Sequence, residues 1–208
     1  MTSQELVKEE FLKKENCESF TNSFSKASPF PHLIIDNFFD EKYMQTLAKD
    51  LLEEEYYLED HDLYQFMRTA DLKYSKNESI ANFHSYLQSN KFISHIENIT
   101  KLPLSREQMD LHSLLLSDTN YLLCHDDKVE GRAIAFIIYL SKEWDPKDGG
   151  ILQLFSSENE EPKEVVKEIF PLFNRFVFFK VTDTSFHQVS EVLKDKGRLS
   201  LSGWFYHE

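Results

Sequence analysis

The sequence is poor in the residues that mark several protein classes. Its two cysteines, Cys17 and Cys124, cannot build a disulfide framework and fit a reducing compartment. Five glycines and six prolines in 208 residues exclude a collagen-like or low-complexity chain. Cations are scarce: 23 Lys and Arg face 36 Asp and Glu, a formal charge of −13. Such a surface repels phosphate backbones, so no direct nucleic-acid contact is expected. No apolar run approaches the ~20 residues that span a bilayer. Met1-Thr2-Ser3-Gln4-Glu5 has neither the basic region nor the apolar core of a signal peptide. The expectation is a soluble protein of the cytoplasm or nucleus. Its acidity either steers a basic partner toward it or serves only solubility.

Aromatic residues, by contrast, are plentiful. With 18 Phe and 9 Tyr, a chain of this length can bury one full-sized core. Residues 5–26 carry Leu6, Val7, Phe11, Leu12, Phe20 and Phe24 at roughly helical spacing, and Ser28-Pro29-Phe30-Pro31 ends that pattern. His32–Asp36 reads as a short buried strand. Asp40 is the expected N-cap of a helix bearing Tyr43, Met44, Leu47, Leu51 and Leu52 on one side. Periodicity fades over residues 53–77, which read as strand fragments and a long loop, either a substrate lid or an ordinary surface loop. Two helical pieces, Ser79–Gln88 and Lys91–Thr100, follow. From Gln108 onward the pattern is of short strands: Met109–Leu116, Tyr121–Cys124, Ala133–Leu140, Ile151–Phe155, Arg175–Phe179, Gln188–Leu193 and Arg198–Phe205. Ala133–Leu140 is apolar throughout, as a strand covered on both faces must be. Helices followed by many strands predict a mostly β fold, a double-stranded β-helix or jelly roll with helices packed on one outer face.

Chemistry concentrates where apolar runs stop. Tyr121-Leu122-Leu123-Cys124 ends in His125-Asp126-Asp127. In an extended chain, side chains two apart share a face, so His125 and Asp127 would point together and Asp126 away. An imidazole and a carboxylate side by side are two-thirds of a 2-His-1-carboxylate metal site. Among eight histidines, only His95 is also followed two residues on by a carboxylate, Glu97. That pair lies in an apparent helix, where a two-residue step turns about 200° and separates the side chains. His187, just after Phe176-Val177-Phe178-Phe179, is either a satisfied structural histidine or the third ligand. Arg198, Ser200 and Ser202 share one strand face against Leu199 and Leu201. An inward guanidinium demands an anion, either an internal carboxylate or the far carboxylate of a dicarboxylate cosubstrate gripped by its two-pronged fork. Tyr139, ending the central strand, could donate to the same carboxylate or belong to the core.

These stretches resemble a known family. Leu122–Asp127, Ile134–Leu140, Gly149-Gly150, Phe186–Val192 and Arg198–Trp204 look like the eukaryotic ribosomal prolyl 3-hydroxylases, Fe(II)- and 2-oxoglutarate-dependent oxygenases of the prolyl-hydroxylase type. The resemblance covers most of residues 30–206. It implies catalysis by His125, Asp127, His187 and Arg198, with Fe(II) on the first three and 2-oxoglutarate held by Arg198 and Tyr139. It further implies dioxygen as oxidant, L-ascorbate as an accessory, and hydroxylation at C3 of a proline in a basic protein of the small ribosomal subunit, near the decoding centre. Residues 1–30 would form an N-terminal helical segment and 31–208 the catalytic domain. The family's best-known members carry a second, non-catalytic barrel, whereas this chain stops at Glu208, as either a truncated piece or a single-domain relative. Two other readings of the same residues are a barrel that binds proteins without catalysis and, against the charge, a nucleic-acid demethylase.

Overall fold

The computed structural model describes residues 6–208. The expectations for Met1–Glu5, no leader and a helix beginning at Glu5, lie outside the described residues. Four α-helices form: α1 Lys14–Lys26, α2 Glu41–Leu51, α3 Glu78–Leu87 and α4 Asn90–Thr100. Helices α2, α3 and α4 bury residues three or four apart, such as Met44, Leu47 and Leu51 of α2, or Ile80, Phe83 and Leu87 of α3, while α1 buries Phe24 alone. Three begin on side-chain caps. Asp40 accepts from Tyr43 N at 2.8 Å, Asn77 from Ser79 N at 2.9 Å and Ser89 from Phe92 N at 3.2 Å, satisfying donors that the first helical turn leaves unpaired. The first helical pattern is broken in two, a 3-10 turn at Glu9–Leu12 and then α1, because Lys13 is extended between them. No helix among the described residues is long and apolar enough to cross a membrane.

Eleven strands are found among the described residues. They are β1 His32–Ile35, β2 Tyr56–His61, β3 Tyr64–Thr69, β4 Leu104–Leu116, β5 Tyr121–His125, β6 Arg132–Tyr139, β7 Leu152–Glu158, β8 Glu161–Ile169, β9 Phe176–Lys180, β10 His187–Val189 and β11 Arg198–His207. They pair antiparallel in the order β1-β9-β6-β11-β4-β3-β5-β10-β7-β8, with β2 on β3. One wall runs from β1 to β4 and the other from β5 to β8. Strand β3 joins them by pairing with both β4 and β5. The expected jelly roll with helices on one face is the fold observed.

Period-two alternation sorts the first wall's side chains between two cores. Ile134, Phe136 and Ile138 of β6, Phe176 and Phe178 of β9, and Leu199, Leu201 and Phe205 of β11 meet the helices. Their neighbours Ala135, Tyr139, Val177 and Phe179 turn into the roll, against Leu152, Leu154 and Val189 of the second wall. Strand β6 is thus apolar on both faces because it is covered on both, by helices and by the opposite wall. Each fully buried Phe contributes about 2–3 kcal/mol to holding the layers together.

One expectation is sharpened and one strand was missed. Of residues 53–77, read as strand fragments and a long loop, 56–69 form the hairpin β2–β3, tied across six residue pairs; a mixture of aromatics and acids blurs its period of two. The exposed β8, with only Ile169 buried, was absent from the expected strands because it lacks an apolar face to betray it.

A buried hinge pin secures the helical layer to the sheet. Asn174 is fully buried at a left-handed φ of 60°. Its Oδ1 accepts from Phe39 N at 3.1 Å and its Nδ2 donates to Phe39 O at 2.8 Å. Asn174→Ala would leave two buried backbone groups unpaired and would lose the asparagine side chain's tolerance of the left-handed conformation. The expected cost is about 3 kcal/mol of unfolding free energy, read as a fall in the urea midpoint. An unchanged midpoint would show that the amide contacts carry no stability.

Candidate metal and cosubstrate site

Strand register brings the two histidines together. His187 of β10 lies directly opposite His125 of β5, and their ring centroids are 4.2 Å apart. The carboxylate arrives differently from the sequence-based expectation. Strand β5 ends at His125, and Asp127 sits in the left-handed region at φ 62°. A turn, not strand alternation, swings its side chain back beneath the imidazoles. His125 Nε2 is 3.6 Å from Asp127 Oδ1, and His187 Nε2 is 3.4 Å from Asp127 Oδ2. One ligand atom from each residue falls within 4.8 Å of the others. Asp126 turns away and accepts from Lys128 N at 3.0 Å, as expected.

Both rings are oriented from behind. His125 Nδ1 lies 2.8 Å from Leu123 O, and His187 Nδ1 lies 2.9 Å from Ser185 O. A carbonyl can only accept, so Nδ1 carries the hydrogen in each ring and Nε2 keeps its lone pair for the shared point. This is the tautomer a neutral imidazole needs to bind a metal. The Ser185 hydroxyl, 3.0 Å from Asp126 O, ties the two ligand-bearing loops to each other. Burial would raise the pKa of Asp127, but the imidazoles of His125 and His187 beside it hold its carboxyl far below the usual carboxylate range. Burial opposes charge on His125 as well, yet contact with Asp127 raises its pKa. An ionised carboxylate between two imidazole nitrogens suits a divalent first-row cation such as Fe(II). His95 and Glu97 do diverge: His95 stacks toward Phe38 and Glu97 pairs with Arg106 at 2.6 Å.

The triad opens into a cavity of about 270 Å3 inside the roll, and Arg198 lines the same cavity. Arg198 is 2% exposed. Among the described residues its side chain makes one hydrogen bond, a long one from Nη1 to Ser200 Oγ at 3.4 Å, and Nε and Nη2 have no acceptor. No internal carboxylate pairs with it among the described residues. Burial lowers its pKa from the ordinary arginine value. Tyr139 is fully buried beside it, with the guanidinium carbon 4.9 Å from the ring centroid and a phenol oxygen that has no partner. Burial raises that phenol's pKa, which keeps its proton available for donation. A buried guanidinium and a buried hydroxyl, both unsatisfied, fit the distal carboxylate of 2-oxoglutarate.

Two cavity residues escaped the sequence analysis. Arg132 stacks its guanidinium 3.6 Å over the Trp204 ring, and its Nη1 lies 3.6 Å from Asp127 Oδ1. Among the described residues, Arg132 Nε and Trp204 Nε1 have no acceptor. Alternation along β11 places Trp204 on the face of Arg198, a signal that was available; nothing local marked Arg132, which opens an apolar strand.

Comparison with known proteins follows the same lines. Residues 111–206 match the model of the 2OG-Fe(II) oxygenase superfamily. Over 96% of its length the chain is 38% identical to prolyl 3-hydroxylase OGFOD1 of Mus musculus, and over 86% it is 42% identical to the Xenopus laevis protein of that name. It spans only 38% and 35% of the length of those relatives. Among solved structures, a Pseudomonas putida prolyl-4-hydroxylase has a TM-score of 0.74 at 18% identity, covering 92% of this chain and 99% of its own. A Trichoplax adhaerens prolyl hydroxylase, in complex with a hypoxia inducible factor oxygen degradation domain peptide, has a TM-score of 0.75 at 17% identity, covering 96% and 93%. At such identities these structures speak for the fold. The roll, the histidine-aspartate triad and the family match over residues 111–206 identify a 2OG-Fe(II) oxygenase domain in this chain, similar along nearly its whole length to prolyl 3-hydroxylases.

Proposed function

We propose that the chain is a 2-oxoglutarate-dependent prolyl hydroxylase acting on a basic protein segment. The observation that carries this reading is one cavity holding both a 2-His-1-carboxylate triad and a buried arginine without an anion. His125, Asp127 and His187 would hold Fe(II), and Arg198 with Tyr139 would hold 2-oxoglutarate. When bound, these groups and dioxygen supply an oxidant that inserts one oxygen into a C–H bond, with release of succinate and carbon dioxide. Ascorbate is the accessory reductant of this reading.

The chain's own residues position and enclose. The Nδ1 contacts of both histidines fix their rings, and Arg132 steadies Asp127 through a contact of 3.6 Å. Arg198 and Tyr139 orient the cosubstrate by its distal end. Leu114, Leu116, Leu152, Phe179 and Val189 line the interior and exclude water from the reacting centre. Near the triad, Arg132 Nε and Trp204 Nε1 are donors suited to a carbonyl of a bound peptide. Hairpin β2–β3 contributes Leu63, Tyr64, Phe66 and Arg68 to the cavity, which supports its role as a cover over substrate. The net charge of −13 favours a basic segment. The names of the matched relatives support C3 as the position attacked. A decoding-centre protein of the small ribosomal subunit, met in the cytoplasm or nucleus, is the substrate in this proposal.

With Fe(II) and 2-oxoglutarate, a basic proline-containing peptide should gain the mass of one oxygen. Succinate release without oxygen on any proline peptide would sink the prolyl assignment. Asp127→Ala removes a direct ligand, so turnover should fall below about one-hundredth of wild type with the fold intact by circular dichroism, since losing mere ligand supports already costs 10–100-fold. Arg198→Lys keeps the charge but loses the fork, and the KM for 2-oxoglutarate should rise about tenfold or more. An unchanged KM would make Arg198 structural.

A further inference from the structure

Arg198 has no strong hydrogen bond to fix it, yet a two-pronged grip on a carboxylate requires a fixed fork. The backbone of Gly150 supplies the contact. Gly150 has φ +63°, and a Cβ built on it would stand 2.6 Å from Arg198 Cδ and 3.1 Å from Nε. The arginine stem is therefore held between the main chain of Gly150 and the ring of Tyr139, 4.9 Å from the guanidinium carbon. Only a residue without a side chain lets the main chain approach so closely.

The glycine is itself anchored. Gly150 N donates to Glu191 O at 3.1 Å, and Leu193 N donates to Asp148 O at 2.8 Å. Trp144 Nε1 donates to Gly149 O at 2.9 Å. Lys196 closes the turn from outside, its Nζ 3.0 Å from Asp148 Oδ2 and 5.1 Å from the Trp144 ring centroid. The turn at 144–150 and the segment 190–196 form one clasp, and the side chain it presses on is Arg198.

We propose that Gly150 is a positioning residue for the cosubstrate, acting through Arg198 to aim the guanidinium before a carboxylate arrives. The inference rests on the oxygenase reading and concerns affinity for 2-oxoglutarate alone, leaving the metal triad untouched. In Gly150→Ala the methyl displaces the arginine stem. On Mn(II)-loaded protein, calorimetry should show 2-oxoglutarate binding weakened about tenfold or more, the loss expected when a charge-assisted pair is misaligned. Mn(II) affinity should be unchanged, and in the iron enzyme KM for 2-oxoglutarate should rise with kcat kept at saturation. A structural role would instead lower metal affinity and kcat together. Trp144→Phe frees the Gly149 carbonyl without adding atoms. It should weaken 2-oxoglutarate in the same direction by a few-fold, and it carries the test if the alanine variant does not fold. Normal wild-type binding with both variants unchanged, or with metal affinity falling in step, overturns the role of Gly150. Absence of 2-oxoglutarate binding in the wild type would overturn the oxygenase reading along with it.

Discussion

The pairing of β10 with β5 is the constraint on which the site depends. Register sets His187 opposite His125, and a shift of one residue would turn one imidazole to the other face of the sheet. Strand β10 is only three residues long, so its own ladder cannot enforce that register. Packing does: Val189 is buried against the interior with Leu152 and Leu154 of β7, and β7 pairs with β10 on its other side. The apolar lining of the roll thus aligns two polar residues at its mouth.

Around that pair the chain departs from ordinary folding preferences in ways that share one purpose. Asp127 adopts a left-handed backbone although it is not glycine. A guanidinium is buried with two of its nitrogens unpaired, an arrangement worth several kcal/mol of destabilisation in a resting core. Gly150 keeps a positive φ against its stem. Sites of function are where such local costs are tolerated, because the surrounding layers over-determine the geometry. Here the layers are the Phe-rich helix face and the aliphatic interior, whose burial is large enough to hold the strained parts in place.

Much of the molecule could be read before it was seen. His125, Asp127 and Tyr139 stand at the ends of apolar runs, and strand alternation separated the inward Arg198, Ser200 and Ser202 from the outward Leu199 and Leu201. The helix cap Asp40 and the doubly covered β6 were equally legible, since each depends on chemistry within a few residues. What escaped had no local mark. Exposed β8 has no apolar face, aromatics mixed with acids blur the bounds of β2 and β3, and Arg132 matters only because β11 brings Trp204 under it.

The sequence by itself determined the kinds of ligand, the alternation of the strands and the charge of the surface, because those follow from residue identity and short-range periodicity. Only the tertiary structure decided that Asp127 reaches the histidines by a turn, not along a strand. It alone left Arg198 without a carboxylate partner among the described residues, and it alone set Gly150 against the arginine stem. Each of these depends on contacts between residues dozens of positions apart, which no local pattern encodes.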